Sequence, residues 1–120
     1  MWLMFTNGFL SVVDKSKNKD CLVVRARRPG DIERFFPSAT VKKTRQNDYL
    51  FRADIPRSEV AAMVARQIMG IDYENFKGAT RDGDLHRAYN RVWHAMADLQ
   101  PGGPYGNRVN RSSRDLFGGV

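Results

Sequence analysis

Cysteine and histidine are scarce in this chain of 120 residues, and their scarcity excludes several kinds of site. The single Cys21 cannot form a disulfide within the chain, and no cluster of cysteines is present to hold a zinc ion. His86 and His94 lie eight residues apart, which on a helix turns their side chains too far from each other to share one ion. Since no other catalytic or metal-binding pattern stands out, we predict no catalytic residue, no metal and no cofactor.

Long hydrophobic runs are also missing. The most apolar stretch, residues 2–13, is far shorter than the ~20 residues that a membrane-spanning helix needs. No basic residue precedes this stretch and no small-residue cleavage pattern follows it, so it does not resemble an export signal. We therefore expect a cytoplasmic protein without a membrane partner.

What the chain has in excess is positive charge, and most of it is arginine. Twenty Lys and Arg face thirteen Asp and Glu, which gives a net charge of +7. Residues 15–45 hold ten of the cations and only three acids, so this segment alone carries +7. A concentrated positive field attracts polyanions such as nucleic acid or an acidic protein surface, although solubility alone also explains a charged surface.

The apolar pattern predicts a small α+β fold. Asn7-Gly8 is typical of a type I′ turn with positive φ at both residues, and it joins two apolar runs into a hairpin. A third strand follows at residues 21–27, and Asp31 is the expected N-cap of a short helix that ends before Pro37. The later segments are a second hairpin and two helices: residues 39–44 and 49–54, then 57–69 and about 82–100.

The resulting order is β-β-β-α-β-β-α-α, an antiparallel sheet of about five strands with helices packed on one face and a ferredoxin-like core. Residues 1–100 are expected to form a single domain, and residues 101–120 a flexible basic tail. The last helix is predicted to bury one apolar stripe along its length. Its members are Leu85, Ala88, Tyr89, Val92, Met96 and Leu99.

Period-two alternation places two arginines of the third strand on the face opposite Leu22, Val24 and Ala26. We predict a basic surface for nucleic acid or an acidic partner around them, made of Arg25, Arg27, Arg28, Lys42, Lys43 and Arg45. Tyr49 and Phe51 are expected on one face of a neighbouring strand, either as core residues or as stacking platforms. Arg25 and Arg27 have a second interpretation, in which they pair with Asp48 or Asp54 across the sheet.

Several short motifs together resemble a family of small, uncharacterised proteins of bacteria and their phages, over about residues 1–100. The motifs are Trp2 with Asn7-Gly8-Phe9, Ser11-Val12-Val13, Val24-Arg25-Ala26-Arg27, Asp31-Ile32-Glu33, Asp48-Tyr49, Arg52, Ile71-Asp72-Tyr73-Glu74-Asn75-Phe76-Lys77, Tyr89, Val92-Trp93 and Leu99-Gln100. The resemblance implies a phage or mobile-element origin. It brings no activity and no catalytic residue.

We expect a non-enzymatic binding protein whose basic face engages nucleic acid or a ribonucleoprotein. The alternative is a protein-interaction module that inhibits or regulates an acidic host protein, with a homodimer also open. In that alternative the tail docks on the partner or joins two subunits, through Arg108, Arg111, Arg114, Leu116 and Phe117. An enzyme using the acidic connector 72–77 would need a pocket that gathers Asp72, Asn75 and a histidine.

Overall fold

A computed structural model describes residues 1–102, and the five predicted tail residues between Arg108 and Phe117 lie outside this range. Contacts group the chain into two compact units, Met1–Ala79 and a second unit that begins at Thr80. Among the described residues, no helix combines the length and the apolarity that crossing a bilayer requires.

The first unit is built on a five-stranded antiparallel sheet, which confirms the predicted α+β class. The strands lie side by side in the order β1-β2-β3-β5-β4. Their bounds are β1 Trp2–Phe5, β2 Gly8–Val13, β3 Cys21–Ala26, β4 Lys42–Lys43 and β5 Phe51–Pro56. The helices are α1 Asp31–Phe35, α2 Arg57–Met69 and α3 Phe76–Ala79 in the first unit, and α4 Gly83–Ala97 in the second.

The connection through α1 has the arrangement expected of a split β-α-β unit. Strand β5 lies between β3 and β4 and runs antiparallel to both, so β3 and β4 are parallel to each other. The first hairpin extends the sheet on the other side of β3. The predicted ferredoxin-like core is therefore present, with its fourth position filled by β2 from the N-terminal hairpin.

One face of the sheet carries the core of the first unit. Inward side chains of β2, β3 and β5 pack with residues of α1 and α2, among them Ile32, Phe35 and Met63. Burying a side chain of this size stabilises the fold by roughly 1.5–3 kcal/mol. For α1 and α2, the prediction that helices lie on one sheet face is confirmed.

The first hairpin has the predicted strands, but the type I′ turn is wrong. Phe5 pairs with Gly8, so the two loop residues are Thr6 and Asn7. Neither Asn7 nor Gly8 has a positive φ. Gly8 is needed for another reason: a Cβ there would lie 2.8 Å from Cε2 of the buried Phe35 ring.

The start of α1 also differs from the sequence prediction. The N-cap is Gly30, with φ 89°, and no side chain caps the helix. Asp31 is the first helical residue and is almost fully buried. Its carboxylate accepts a hydrogen bond from the Phe9 N–H at 3.3 Å and pairs with Arg28 and Arg34 at 3.5 and 3.2 Å. Asp31 thus ties α1 to the start of β2.

Helix α2 begins and ends where the sequence predicts. At its end, the Gly70 N–H donates a hydrogen bond of 3.0 Å to the Arg66 carbonyl.

Helix α4 starts at an N-cap, Asp82, whose carboxylate accepts hydrogen bonds from the N–H groups of residues 84 and 85. The predicted stripe of α4 is wrong in part. Leu85 and Tyr89 are buried and Val92 is half-buried, whereas the other three members are exposed: Ala88, Met96 and Leu99.

Candidate anion-binding face

Strand register places three cations in one row across the sheet. Arg25 of β3 lies directly opposite Arg52 of β5, which in turn lies opposite Lys42 of β4. Residues opposite each other on neighbouring strands share a face, and this row is on the face away from α1 and α2. Ser11 of β2 continues the row next to Arg25. We call the cations of this surface the arginine face. It consists of the row residues Arg25, Arg52 and Lys42 together with Arg27, which is two residues from Arg25 and on the same side of the chain.

A buried tyrosine holds two members of the arginine face in place. The guanidinium carbons of Arg25 and Arg27 lie 4.4 and 4.3 Å from the centre of the Tyr49 ring, which is 3% exposed. Each cation–π contact is worth about 0.5–2 kcal/mol, depending on how far it is shielded from water. Arg25 also donates to the Ser11 hydroxyl at 2.7 Å, and Arg27 donates to the Asp48 carbonyl at 3.0 Å.

The positive charge of the arginine face is only partly balanced. In the part of the chain that the structure describes, the one carboxylate paired with these four side chains is that of Asp48. It lies 3.5 Å from Arg52 Nη2 and is itself 66% exposed. The Nε atoms of Arg25 and Arg52 are buried without a hydrogen-bond acceptor. Like charges directly opposite each other on neighbouring strands are destabilising, so this row carries a stability cost that an anion would relieve.

The structure brings together some of the predicted basic residues and separates others. Arg25 and Lys42 share the row, and Arg27 joins them through Tyr49. Lys43 lies opposite Phe51 and therefore on the other face, with its Nζ 6.0 Å from the Phe51 ring centre. Two further predicted residues, besides Lys43, lie away from the arginine face. Arg28 pairs with Asp31, and Arg45 is an exposed residue of the loop between β4 and β5.

Sequence reasoning missed Arg52 as a member of this basic surface. The signal that identifies it is the pairing register of β3 with β5, which a single sequence does not reveal. The predicted pairing of Arg25 and Arg27 with Asp48 or Asp54 is wrong. Arg27 donates to the backbone carbonyl of Asp48, and Arg25 donates to the Ser11 hydroxyl. The Asp48 carboxylate pairs with Arg52, and Asp54 lies opposite Val23.

Tyr49 and Phe51 were predicted to share a face, and this prediction is wrong. Phe51 packs against the core beside α1 and α2, whereas Tyr49 lies against the guanidinium groups of the opposite face. Strand β5 begins at Phe51, so the period-two rule does not extend back to Tyr49. Because its ring is 3% exposed and two guanidinium groups lie against it, Tyr49 is not a free platform for a nucleic-acid base.

The groove that Asp72 lines, among the residues the structure describes, does not gather the side chains that the enzyme hypothesis needs. Asp72 lines a groove of about 350 Å³ beside β1 and the end of α2, but neither Asn75 nor a histidine lines it. Asn75 instead accepts a hydrogen bond from the Gly78 N–H at 3.0 Å, at the start of α3. Within residues 1–102, no group of three or more His, Cys, Asp or Glu side chains lies together in a way that would hold a metal ion.

Comparison of the chain with protein-family models, with curated proteins and with solved structures finds no match. The resemblance to small proteins of bacteria and phages therefore stays a prediction.

Proposed function

We propose that the chain is a non-enzymatic binding protein whose arginine face engages the phosphate backbone of nucleic acid, free or in a ribonucleoprotein. The observation that carries this proposal is the row of Arg25, Arg52 and Lys42 on three adjoining strands, with which a single carboxylate of residues 1–102 is paired. A row of like charges is costly in the free protein and favourable beside a polyanion.

The chemistry of the face favours phosphate contacts over base readout. Arginine presents forked N–H donors that match phosphate oxygens, and three of the four cations are arginines. The aromatic residue at the centre, Tyr49, is enclosed by Arg25 and Arg27 and orders them in place of stacking on bases. Phosphate contacts fix a protein on nucleic acid without reading its sequence, so we expect binding with little sequence preference.

Salt dependence gives the proposal a quantitative form. If each of the four cations neutralises one phosphate of a duplex, the slope of log Kobs against log salt is about −3.6. Raising the salt from 50 to 200 mM should then weaken binding by roughly 100-fold. Arg27 and Lys42 are the two exposed members, and removing both should make the slope shallower by about 2.

The test is fluorescence anisotropy with labelled single-stranded RNA and duplex DNA across this salt range. The variant Arg27→Gln/Lys42→Gln keeps most of each side-chain stem and removes two charges. Its matched control is Lys15→Gln/Lys17→Gln, which removes the same charge from the exposed loop at the other end of β3. We expect the first variant to lose affinity and slope, and the control to retain the slope.

Two results would overturn the proposal. One is no binding to either nucleic acid at 50 mM salt. The other is an equal loss of affinity in both variants, which would show an effect of net charge without a defined face. Binding of an acidic polypeptide such as polyglutamate, with no binding of nucleic acid, would instead favour the acidic protein partner.

A further inference from the structure

The two edges of the sheet differ in how well they are protected from pairing with another strand. Strand β4, at one edge, has only two residues, and both are lysines. Short length and lysine are common ways of preventing edge-to-edge association. Strand β1, at the other edge, has the sequence Trp-Leu-Met-Phe, without a charge, a proline or a bulge. The first charged side chain of the chain is Asp14.

The open side of β1 has hydrogen-bonding groups available for a further strand. Met1 and Val12 exchange two backbone bonds of 2.8 Å, so Met1 and Leu3 point their backbone groups inward to β2. Backbone groups alternate in direction along a strand, and those of Trp2 and Met4 therefore point outward. Within residues 1–102, no strand lies on that side of β1.

An apolar surface accompanies the open edge. Two exposed side chains of β1, Trp2 and Met4, lie on the sheet face away from α2, because Trp2 is opposite Ser11 in the row that contains Arg25. On the other side of the edge, Ile68 and Ile71 are exposed beside the groove between β1 and the end of α2. Met1 and Met69 adjoin them in the chain, and the six are between 37% and 85% exposed. We call these six residues the edge patch. At roughly 200 Å² for a fully exposed side chain of this size, the edge patch offers about 750 Å².

We propose that the edge patch is a dimer interface, on which a second copy of this chain pairs antiparallel through β1. The six side chains lie along both sides of the open edge, and an interface that covered all of them would take about 750 Å² from each copy, against the ~800 Å² that each partner contributes to a standard stable interface. Because residues 1–13 have no charged side chain, two β1 strands meet without bringing like-charged side chains together, although each chain carries +7. The edge is thus self-complementary in its backbone hydrogen-bonding groups and carries no charged side chain that would oppose pairing of two copies around a twofold axis.

Symmetry and the direction of the backbone groups fix one register. If the twofold axis passes through Leu3, Trp2 of each copy lies opposite Met4 of the other. These are the residues whose N–H and C=O groups point outward, so the pairing forms four backbone hydrogen bonds. Trp2 and Met4 lie on one face of β1, so the four side chains form an apolar cluster across the axis.

Sedimentation velocity between 1 and 100 μM tests this proposal. We expect a species of twice the chain mass of 13.7 kDa, and a dimer that strengthens as salt screens the repulsion between the two positive chains. Nucleic-acid binding should respond to salt in the opposite direction, so failure of this proposal and failure of the proposed function are distinguishable.

Three variants separate strand pairing from general stickiness. Met4→Pro removes an outward N–H and leaves the inward ladder with β2 intact, so it should abolish the dimer. Trp2→Lys/Met4→Lys places charges on the open edge and should do the same. The control Met96→Lys/Leu99→Lys makes an equal change at two exposed apolar residues of the second unit and should leave the dimer intact.

Circular dichroism of each variant confirms that it is folded before its mass is measured. A native chain that stays monomeric at 100 μM overturns the proposal and favours an extended segment of another protein as the occupant. A dimer that survives in Met4→Pro, or that is lost equally in the α4 control, also overturns it.

Discussion

The glycine at the start of β2 allows a sharp test of how the first hairpin is held. Gly8→Ala adds one methyl group at a position with ordinary φ. The new Cβ would lie 2.8 Å from Cε2 and 3.3 Å from Cζ of Phe35. Phe35 is buried and its ring centre is 4.7 Å from that of Phe5, so the ring has little room to retreat.

Overpacking of this kind costs about 1–3 kcal/mol. We expect Gly8→Ala to lower the free energy of unfolding by about 2 kcal/mol and the Tm by roughly 10 °C. Gly8→Asn should cost at least as much, because its side chain is larger. A requirement for positive φ would give the opposite order, since Asn tolerates the left-handed region better than Ala.

A double-mutant cycle measured by urea unfolding identifies the cause. Phe35→Leu shortens the side chain that the methyl group would meet, so Gly8→Ala should cost less than ~0.5 kcal/mol in that background, a coupling of about 1.5 kcal/mol. Gly83→Ala is the control, because its Cβ meets nothing closer than the Arg87 side chain at 3.6 Å. An equal cost of Gly8→Ala in both Phe35 backgrounds would refute the steric explanation.

Three further changes have expected outcomes that urea unfolding can measure. Asp31→Ala removes a buried charged acceptor of the Phe9 N–H and should lower the free energy of unfolding by about 2–3 kcal/mol. Asp31→Asn keeps an acceptor and should cost about half as much. The control Glu33→Ala, on the exposed side of α1, should cost less than ~0.5 kcal/mol. Asp82→Ala removes the N-cap of α4 and should cost about 1 kcal/mol, with stability kept in Asp82→Ser. Gly30→Ala should cost about 1–2 kcal/mol from its φ of 89° alone, since open space surrounds the site, and Gly30→Asn should cost less.

Local patterns predicted most elements of this fold because these elements depend on neighbouring residues only. The exceptions are the short helix α3, which was not predicted, and β4, which is limited to Lys42–Lys43 where a strand over residues 39–44 was expected. The 3.6-residue periodicity of α2 and the Gly70 that follows it gave both ends of that helix. The hairpin strands followed from apolar runs on either side of a turn sequence. The error at Gly8 arose because glycine is favoured both where φ is positive and where another group packs close to the backbone. At Gly8 the reason is close packing of the Phe35 ring, which the sequence alone does not show.

Features that depend on distant contacts were not predictable in the same way. Arg52 joins the arginine face through the register of β3 with β5, and no local pattern encodes that register. Tyr49 departs from the alternation of β5 because it precedes the strand, in a turn where Thr44 Oγ1 donates to its carbonyl. Periodicity identified the apolar stripe of α4, but it could not show how far along the helix the stripe is buried, and Met96 and Leu99 are exposed.

The two proposals make a joint prediction about binding to long nucleic acid. A twofold axis perpendicular to the sheet keeps each side chain on its own face, so a dimer through β1 would carry both arginine faces on one side of a continuous sheet. The two Arg25 residues would then be five strand spacings apart, roughly 24 Å.

A duplex rises 3.4 Å per base pair along each strand, so about seven base pairs span that separation. We expect the native chain to bind a 24-base-pair duplex at least tenfold more tightly than Met4→Pro does, because the second contact is intramolecular. On a hairpin with a stem of about six base pairs, too short to reach both faces, the native chain and the variant should bind equally. Equal affinities of the native chain and Met4→Pro for the long duplex would mean that the two arginine faces do not act together. A dimer with both arginine faces on one side must bind more tightly once the duplex is long enough to reach both.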